Sequence, residues 1–222
     1  MRSFFKMFFA SFLSLIVFMV ICVFIMVAFV AAIASKDKLD VPSKSVLVIN
    51  LDNHFFEKQQ TDLSAQFGGI ADVPGLYDII RLINHAKTND KISGILLEAN
   101  SNANGFASSN ELRNALLDFR SSKKFVIAHG DMMSQSAYFV ATAADKVFVN
   151  PSGHFDWKGF AVSLAFVKGL LDKLDIQPQI FFAGKFKSAT EPFRTTEMTP
   201  ENELQTKEWL GDLYNYFLVQ TS

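Results

Sequence analysis

A single cysteine among 222 residues, Cys22, excludes an internal disulfide, and its place inside an apolar run leaves no Cys/His spacing that grips zinc. Histidine is scarce too. His54, His85, His129 and His154 are too scattered to offer two ligands from one helix face or across one turn, so no metal or other cofactor is assigned. An excess of one charge is also missing: 21 Lys and Arg stand against 22 Asp and Glu, a net charge of -1. Cationic pairs such as Lys123-Lys124 stand alone, so no run neutralises several phosphates and nucleic acid is not an expected partner. Repeats and low-complexity tracts are absent as well.

Polar residues nearly vanish from Met7 to Ala34, where only Ser11, Ser14 and Cys22 interrupt the apolar run. About 20 such residues cross the hydrocarbon of a bilayer, and no polar face marks a helix packed in a soluble core. Residues 7–34 therefore read as a membrane-spanning signal anchor behind a short cytoplasmic N-terminus, 1–6. Ala32-Ile33-Ala34 matches the pattern that ends a cleaved secretory signal, but the apolar core of such a signal is only ~7 to 15 residues long. Arg2 and Lys6 precede the span, which places the N-terminus in the cytoplasm and the remainder on the outer, periplasmic side of the cytoplasmic membrane.

Residues 35–44 form a polar linker in which Pro42 discourages further helix, and a domain covers 45–222. Short apolar, β-branched runs read as buried strands at Ser45 to Leu51, Lys91 to Glu98, Phe125 to Ala128, Lys146 to Asn150 (ended by Pro151) and Gln177 to Ala183. A polar stretch with Gly68-Gly69 reads as a loop. Helical spacing appears from Leu76 to Ile83, after the capping residues Ser108-Ser109-Asn110-Glu111, from Met133 to Ala144, from Ala165 to Leu174, and beyond Thr199-Pro200. Strands alternating with helices, each strand nearly all apolar, predict an α/β domain with a mostly parallel sheet buried on both faces.

Chemistry is most legible where the last of these strands runs out through Gly184 into a loop holding Lys185 and Lys187, since sites in α/β sheets are built at strand ends. A lysine serves as a general base only when its amine, with a pKa of ~10.4 in water, is held neutral by burial away from carboxylates. Phe182, Phe186, Ala189 and Phe193 are the residues expected to supply apolar surroundings. The plain alternative is that both lysines are solvated surface residues.

Gly-Lys-Phe-Lys-Ser-Ala-Thr-Glu-Pro-Phe, from Gly184 to Phe193, resembles the Gly-Thr-Tyr-Lys-Ser-Ala-Val-Glu-Pro-Phe signature in the first half of the long signal peptide peptidase A (protease IV) family. Thr196-Glu-Met-Thr-Pro200, Ser134-Gln135 with Tyr138-Phe139, and the N-terminal anchor extend the resemblance over nearly the whole chain. It implies a ClpP/crotonase-like fold and a serine-type endopeptidase working with a Ser/Lys dyad and no cofactor. By position Lys187, not Lys185, is the implied general base. The implied nucleophile belongs to a Ser-Gly-Gly-Tyr-like segment in a second half-domain that these 222 residues do not contain, so the chain alone is expected to be inactive. Implied partners are the lipid bilayer, remnant signal peptides as substrates, further copies of the chain and that second half-domain.

Aligned on the aromatic pair, Gln135 occupies the nucleophile's place. Ser134 and Ser136 flank it, but a one-residue shift on a helix turns a side chain by ~100°, so capping is the expected job of Ser134. The Ala99 to Phe106 loop lies where the family's glycine-bearing loop supplies oxyanion amides, yet holds only Gly105, and Asn with Gly is ordinary turn chemistry. A triad of His129, Ser134 and Asp131 or Asp145 lacks the G-x-S-x-G elbow. Two rival functions remain at this level: a non-catalytic anchoring and assembly domain, and acyl-CoA chemistry of the crotonase type, which shares the implied fold.

Overall fold

Hydropathy dictates the first element. In the computed structural model, which describes residues 2–34, 41–59 and 73–222, helix α1 runs over Arg2–Ala34. Its stretch Phe4–Phe29 covers 26 residues, the most apolar 18-residue window in it has a mean hydropathy of 3.1, and all those side chains are exposed. At ~1.5 Å per residue that stretch reaches about 39 Å, long and apolar enough to cross ~30 Å of hydrocarbon. Met1–Pro42 and Ser43–Ser222 are separate compact units. Most of the expected linker and the Gly68-Gly69 loop lie outside the described residues.

The second unit alternates as its hydropathy requires: β1 (Ser45–Asn50), α2 (Leu76–Thr88), β2 (Ile92–Glu98), α3 (Phe106–Arg120), β3 (Phe125–Met133), α4 (Gln135–Ala141), β4 (Lys146–Phe155), α5 (Lys168–Lys173), a 3-10 turn (Ser188–Thr190), α6 (Glu191–Arg194) and α7 (Pro200–Thr221). The strands lie side by side in chain order, and every pairing is parallel. Ile49, Ile95, Leu97, Val126 and Ala128 point into a core completed by Ile83, Leu112, Leu116 and Phe119 from α2 and α3. α7 joins through Phe217 and through Arg113 of α3, which donates to Gln220 and Thr142 and lies over the Phe139 ring. Thr199 caps α7 by accepting the Asn202 N–H at 3.3 Å, with proline at the first helical position as expected.

Four expectations are corrected. The sheet is covered on one face only among the described residues, leaving Val48 52% and Phe148 50% exposed on the other. Apolar strands read as two-sided burial whether or not the covering layer comes from the same chain. Pro151 does not end β4. The ladder skips from Gly130↔Val149 to Met132↔His154, and the looped-out residues accommodate the missing proline N–H in this bulge. Gly153 is required there, because a Cβ would stand 1.7 Å from the Asp131 carbonyl oxygen. Gly105, not the Ser108 group, starts α3, so those serines fall inside its first turns. Gln177 to Ala183 joins no strand ladder among the described residues, and Phe181 within it is 93% exposed.

Candidate functional site

The signature segment folds into a fixed turn. Gly184 takes φ +86°, a left-handed conformation that suits glycine, and redirects the chain into Lys187, the residue before the Ser188–Thr190 3-10 turn. Glu191 then opens α6 with its side chain 1% exposed. Its carboxylate accepts from Thr199 Oγ1 at 2.6 Å, Asn202 Nδ2 at 2.7 Å and the Thr199 N–H at 3.3 Å. The lysine-bearing turn is thereby fastened to the start of α7. Burial alone would raise the Glu191 carboxyl, but those hydrogen bonds and the Arg194 guanidinium outweigh it and hold the group below the usual carboxylate range.

Lys187 is exposed and makes no hydrogen bond or ion pair with any described residue. Lys185, by contrast, lies 3.9 Å from Glu201 Oε1 in an exposed ion pair. The apolar niche expected around Lys187 is not closed by this chain: Phe182, Phe186 and Phe193 are each about half exposed, and the Arg194 guanidinium sits 3.7 Å above the Phe182 ring.

The segment opening α4 is structural. Ser134 accepts the Ala137 N–H at 3.2 Å as the N-cap and shares a 3.2 Å contact with Ser136 Oγ. Gln135 Oε1 accepts from the N–H groups of Lys158 at 2.8 Å and Gly159 at 2.7 Å, while Nε2 donates to the Gly159 carbonyl at 3.1 Å. Where the resemblance places a nucleophile, the chain thus has an amide committed to pinning a neighbouring loop. Gln135→Ala is expected to lower unfolding free energy by about 1–2 kcal/mol in urea titration, because two loop N–H groups lose their acceptor.

Ordinary turn chemistry also accounts for the Ala99 to Phe106 loop. Asn100 accepts from the N–H of Asp131 at 2.7 Å and, through its carbonyl, from that of Ser134 at 2.9 Å. Asn104 bridges Phe55 N–H at 2.7 Å and the Asn53 carbonyl at 3.1 Å. The His129 triad is not assembled: Asp131 accepts from Asn150 Nδ2 at 3.0 Å, and Asp145 accepts from the Val126 N–H at 2.8 Å and Arg120 Nε at 2.7 Å. The Val126 N–H, opposed by burial and seconded by Arg120, holds the Asp145 carboxyl below its ordinary range. Glu191 is the residue sequence reasoning passed over. Its signal was a carboxylate placed a few residues ahead of the Thr199-Pro200 helix start.

Residues 118–222, which contain β3, the Gln135 segment, the Lys187 turn and α7, match the family described as Peptidase family S49. Those residues therefore carry a peptidase family S49 domain. Protease 4 of Haemophilus influenzae is 29% identical over 196 residues, 84% of this chain and 32% of that protein. Protease 4 of Salmonella typhi is 36% identical over 148 residues, 66% of this chain and 24% of that protein. The chloroplastic serine protease SPPA of Arabidopsis thaliana is 26% identical over 133 residues, 60% and 20% of the two chains. The chain spans a third or less of these curated relatives. The parallel α/β architecture that contains this S49 domain is consistent with a ClpP/crotonase-like fold.

Proposed function

We propose that this chain is the membrane-anchored, lysine-bearing part of a serine endopeptidase, in which Lys187 is the general base for a serine lent by a second half-domain. The observation that carries the reading is the state of the signature turn: it is fastened by buried Glu191, yet Lys187 is uncommitted and flanked by half-exposed phenylalanines. A covering partner desolvates the amine, which disfavours its charged form. Neutral Nζ then takes the proton from the serine hydroxyl as its oxygen bonds to the peptide carbonyl carbon, backbone amides hold the oxyanion, and the same proton passes to the leaving amine. α1 holds the domain at the outer side of the cytoplasmic membrane, where remnant signal peptides are the substrates and copies of the chain assemble around them.

A second reading, a non-catalytic anchoring and assembly domain, draws on Gln135 standing at the nucleophile's position. One assay separates the two. Peptide hydrolysis is measured for the chain alone, for a polypeptide carrying a Ser-Gly-Gly-Tyr-like segment alone, and for their mixture. Hydrolysis confined to the mixture supports the dyad; a mixture as silent as its parts supports the anchoring domain. An acyl-CoA role predicts retention on immobilised CoA, and none is expected.

A further inference from the structure

Beside the start of α4 the chain forms a partly open cavity of about 220 Å³ that neither the Lys187 turn nor the proposed dyad uses. Its walls are rings: Phe106 stacks on Phe139 at 4.8 Å between centroids, and Phe217 of α7 meets Phe139 at 5.9 Å and Phe160 at 5.7 Å. Such a wall, brought together from three helices and a loop, favours a flat or compact apolar guest through edge and face contacts.

The polar atoms on the lining decide what kind of guest. Asn104 is spent on Phe55 and Asn53, Gln135 on Lys158 and Gly159, and Ser109 Oγ accepts from Asn102 at 2.8 Å. Ser136 Oγ is paired with Ser134 Oγ. No buried side-chain polar atom among the described residues lacks a partner. A charged or strongly polar guest would lose water and gain nothing in return, which costs several kcal/mol. Size sets the other limit, since a cavity of about 150 Å³ already holds benzene in an apolar protein core.

We propose that this cavity is a binding site for one uncharged aromatic side chain of a peptide, lodged between Phe106, Phe139, Phe160 and Phe217 next to Ser136. The site binds without cleaving, because Gln135, at the position of the family's nucleophile, is a committed amide and the Ser136 hydroxyl beside it is paired with Ser134 Oγ. It is independent of the dyad reading.

The test uses the full chain in phosphatidylcholine nanodiscs, with protein-free nanodiscs as blank, and ligand-observed saturation-transfer NMR. The probes are the N-acetyl amides of phenylalanine, tryptophan and aspartate, and octanamide. Phenylalanine amide is expected to bind saturably and aspartate amide at least tenfold more weakly. Ser136→Trp, which places a ring in the cavity from an exposed helix position, is expected to weaken the phenylalanine amide at least tenfold. Phe160→Ala, with folding of both variants checked by circular dichroism, is expected to move the preference toward tryptophan amide. Lys187→Ala is expected to leave binding unchanged, which tells a failure here from a failure of the dyad. Equal binding of aspartate amide, or unchanged binding by both cavity variants, overturns the site; tighter binding of octanamide assigns it to a lipid chain and overturns the peptide side chain.

Discussion

Lys187→Ala is expected to lower peptide hydrolysis by the reconstituted mixture roughly 10³-fold or more, because a dyad has no second residue to take the serine proton. Unfolding free energy is expected to stay within about 0.5 kcal/mol of the parent, since the side chain is exposed and bonded to no described residue. Activity and stability are thus predicted to part company, which a structural lysine would not allow. Lys187→Arg carries the sharper message. It preserves a cation of similar reach, but a guanidinium stays protonated at any working pH and cannot act as base, so it is expected to be as inactive as alanine. Lys185→Ala is the matched control: it removes an exposed ion pair to Glu201 worth about 0–1 kcal/mol and is expected to leave most hydrolysis in place. Steady-state rates on one peptide, with urea unfolding of each variant, check all three; substantial turnover by Lys187→Ala refutes the assignment of the base.

The parallel order of the sheet was legible because the four strands that form it announce themselves as β-branched runs between helical periods. The Gln177 to Ala183 run obeys the same pattern and forms no ladder with any described residue, since hydropathy records that a segment wants covering but not which polypeptide provides a neighbour. The second face of the sheet, which no described residue covers and where Val48 and Phe148 are half exposed, is the same lesson in another place. Pro151 misled for a different reason: a missing N–H matters only where the ladder needs it, and the bulge around Gly153 removes that need. At the site, residue spelling pointed to Lys187 and to capping by Ser134, both local in sequence. The grip of Gln135 on Lys158-Gly159 and of Glu191 on Thr199 and Asn202 spans 23, 24, 8 and 11 residues, distances over which one sequence carries no pairing signal.

Glu191 gives the largest expected effect on stability. Glu191→Ala removes the acceptor for Thr199 Oγ1, the Thr199 N–H and Asn202 Nδ2 at a buried position, and leaving such donors unpaired is expected to cost about 3 kcal/mol. Glu191→Gln keeps the shape, but its amide turns two donors toward the Asn202 donor, so a smaller loss of about 1–2 kcal/mol is expected. The pH dependence identifies the charge. Because the folded carboxyl titrates below the ordinary value of ~4.3, its ionised form stabilises the fold fully above that value, and the contribution disappears as pH falls through the folded pKa. The gap in unfolding free energy between parent and Glu191→Gln is therefore expected to be constant from about pH 7 to pH 5 and to narrow below about pH 4. Asp145, also held below its ordinary range, titrates in the same direction in both proteins and cancels from the difference. Since this carboxylate fastens the turn that bears Lys187, the mixture made with Glu191→Gln is expected to show a lower kcat while the peptide KM stays near that of the parent. A stability gap that persists unchanged to pH 3 would mean that packing, not the charge of Glu191, holds the turn in place.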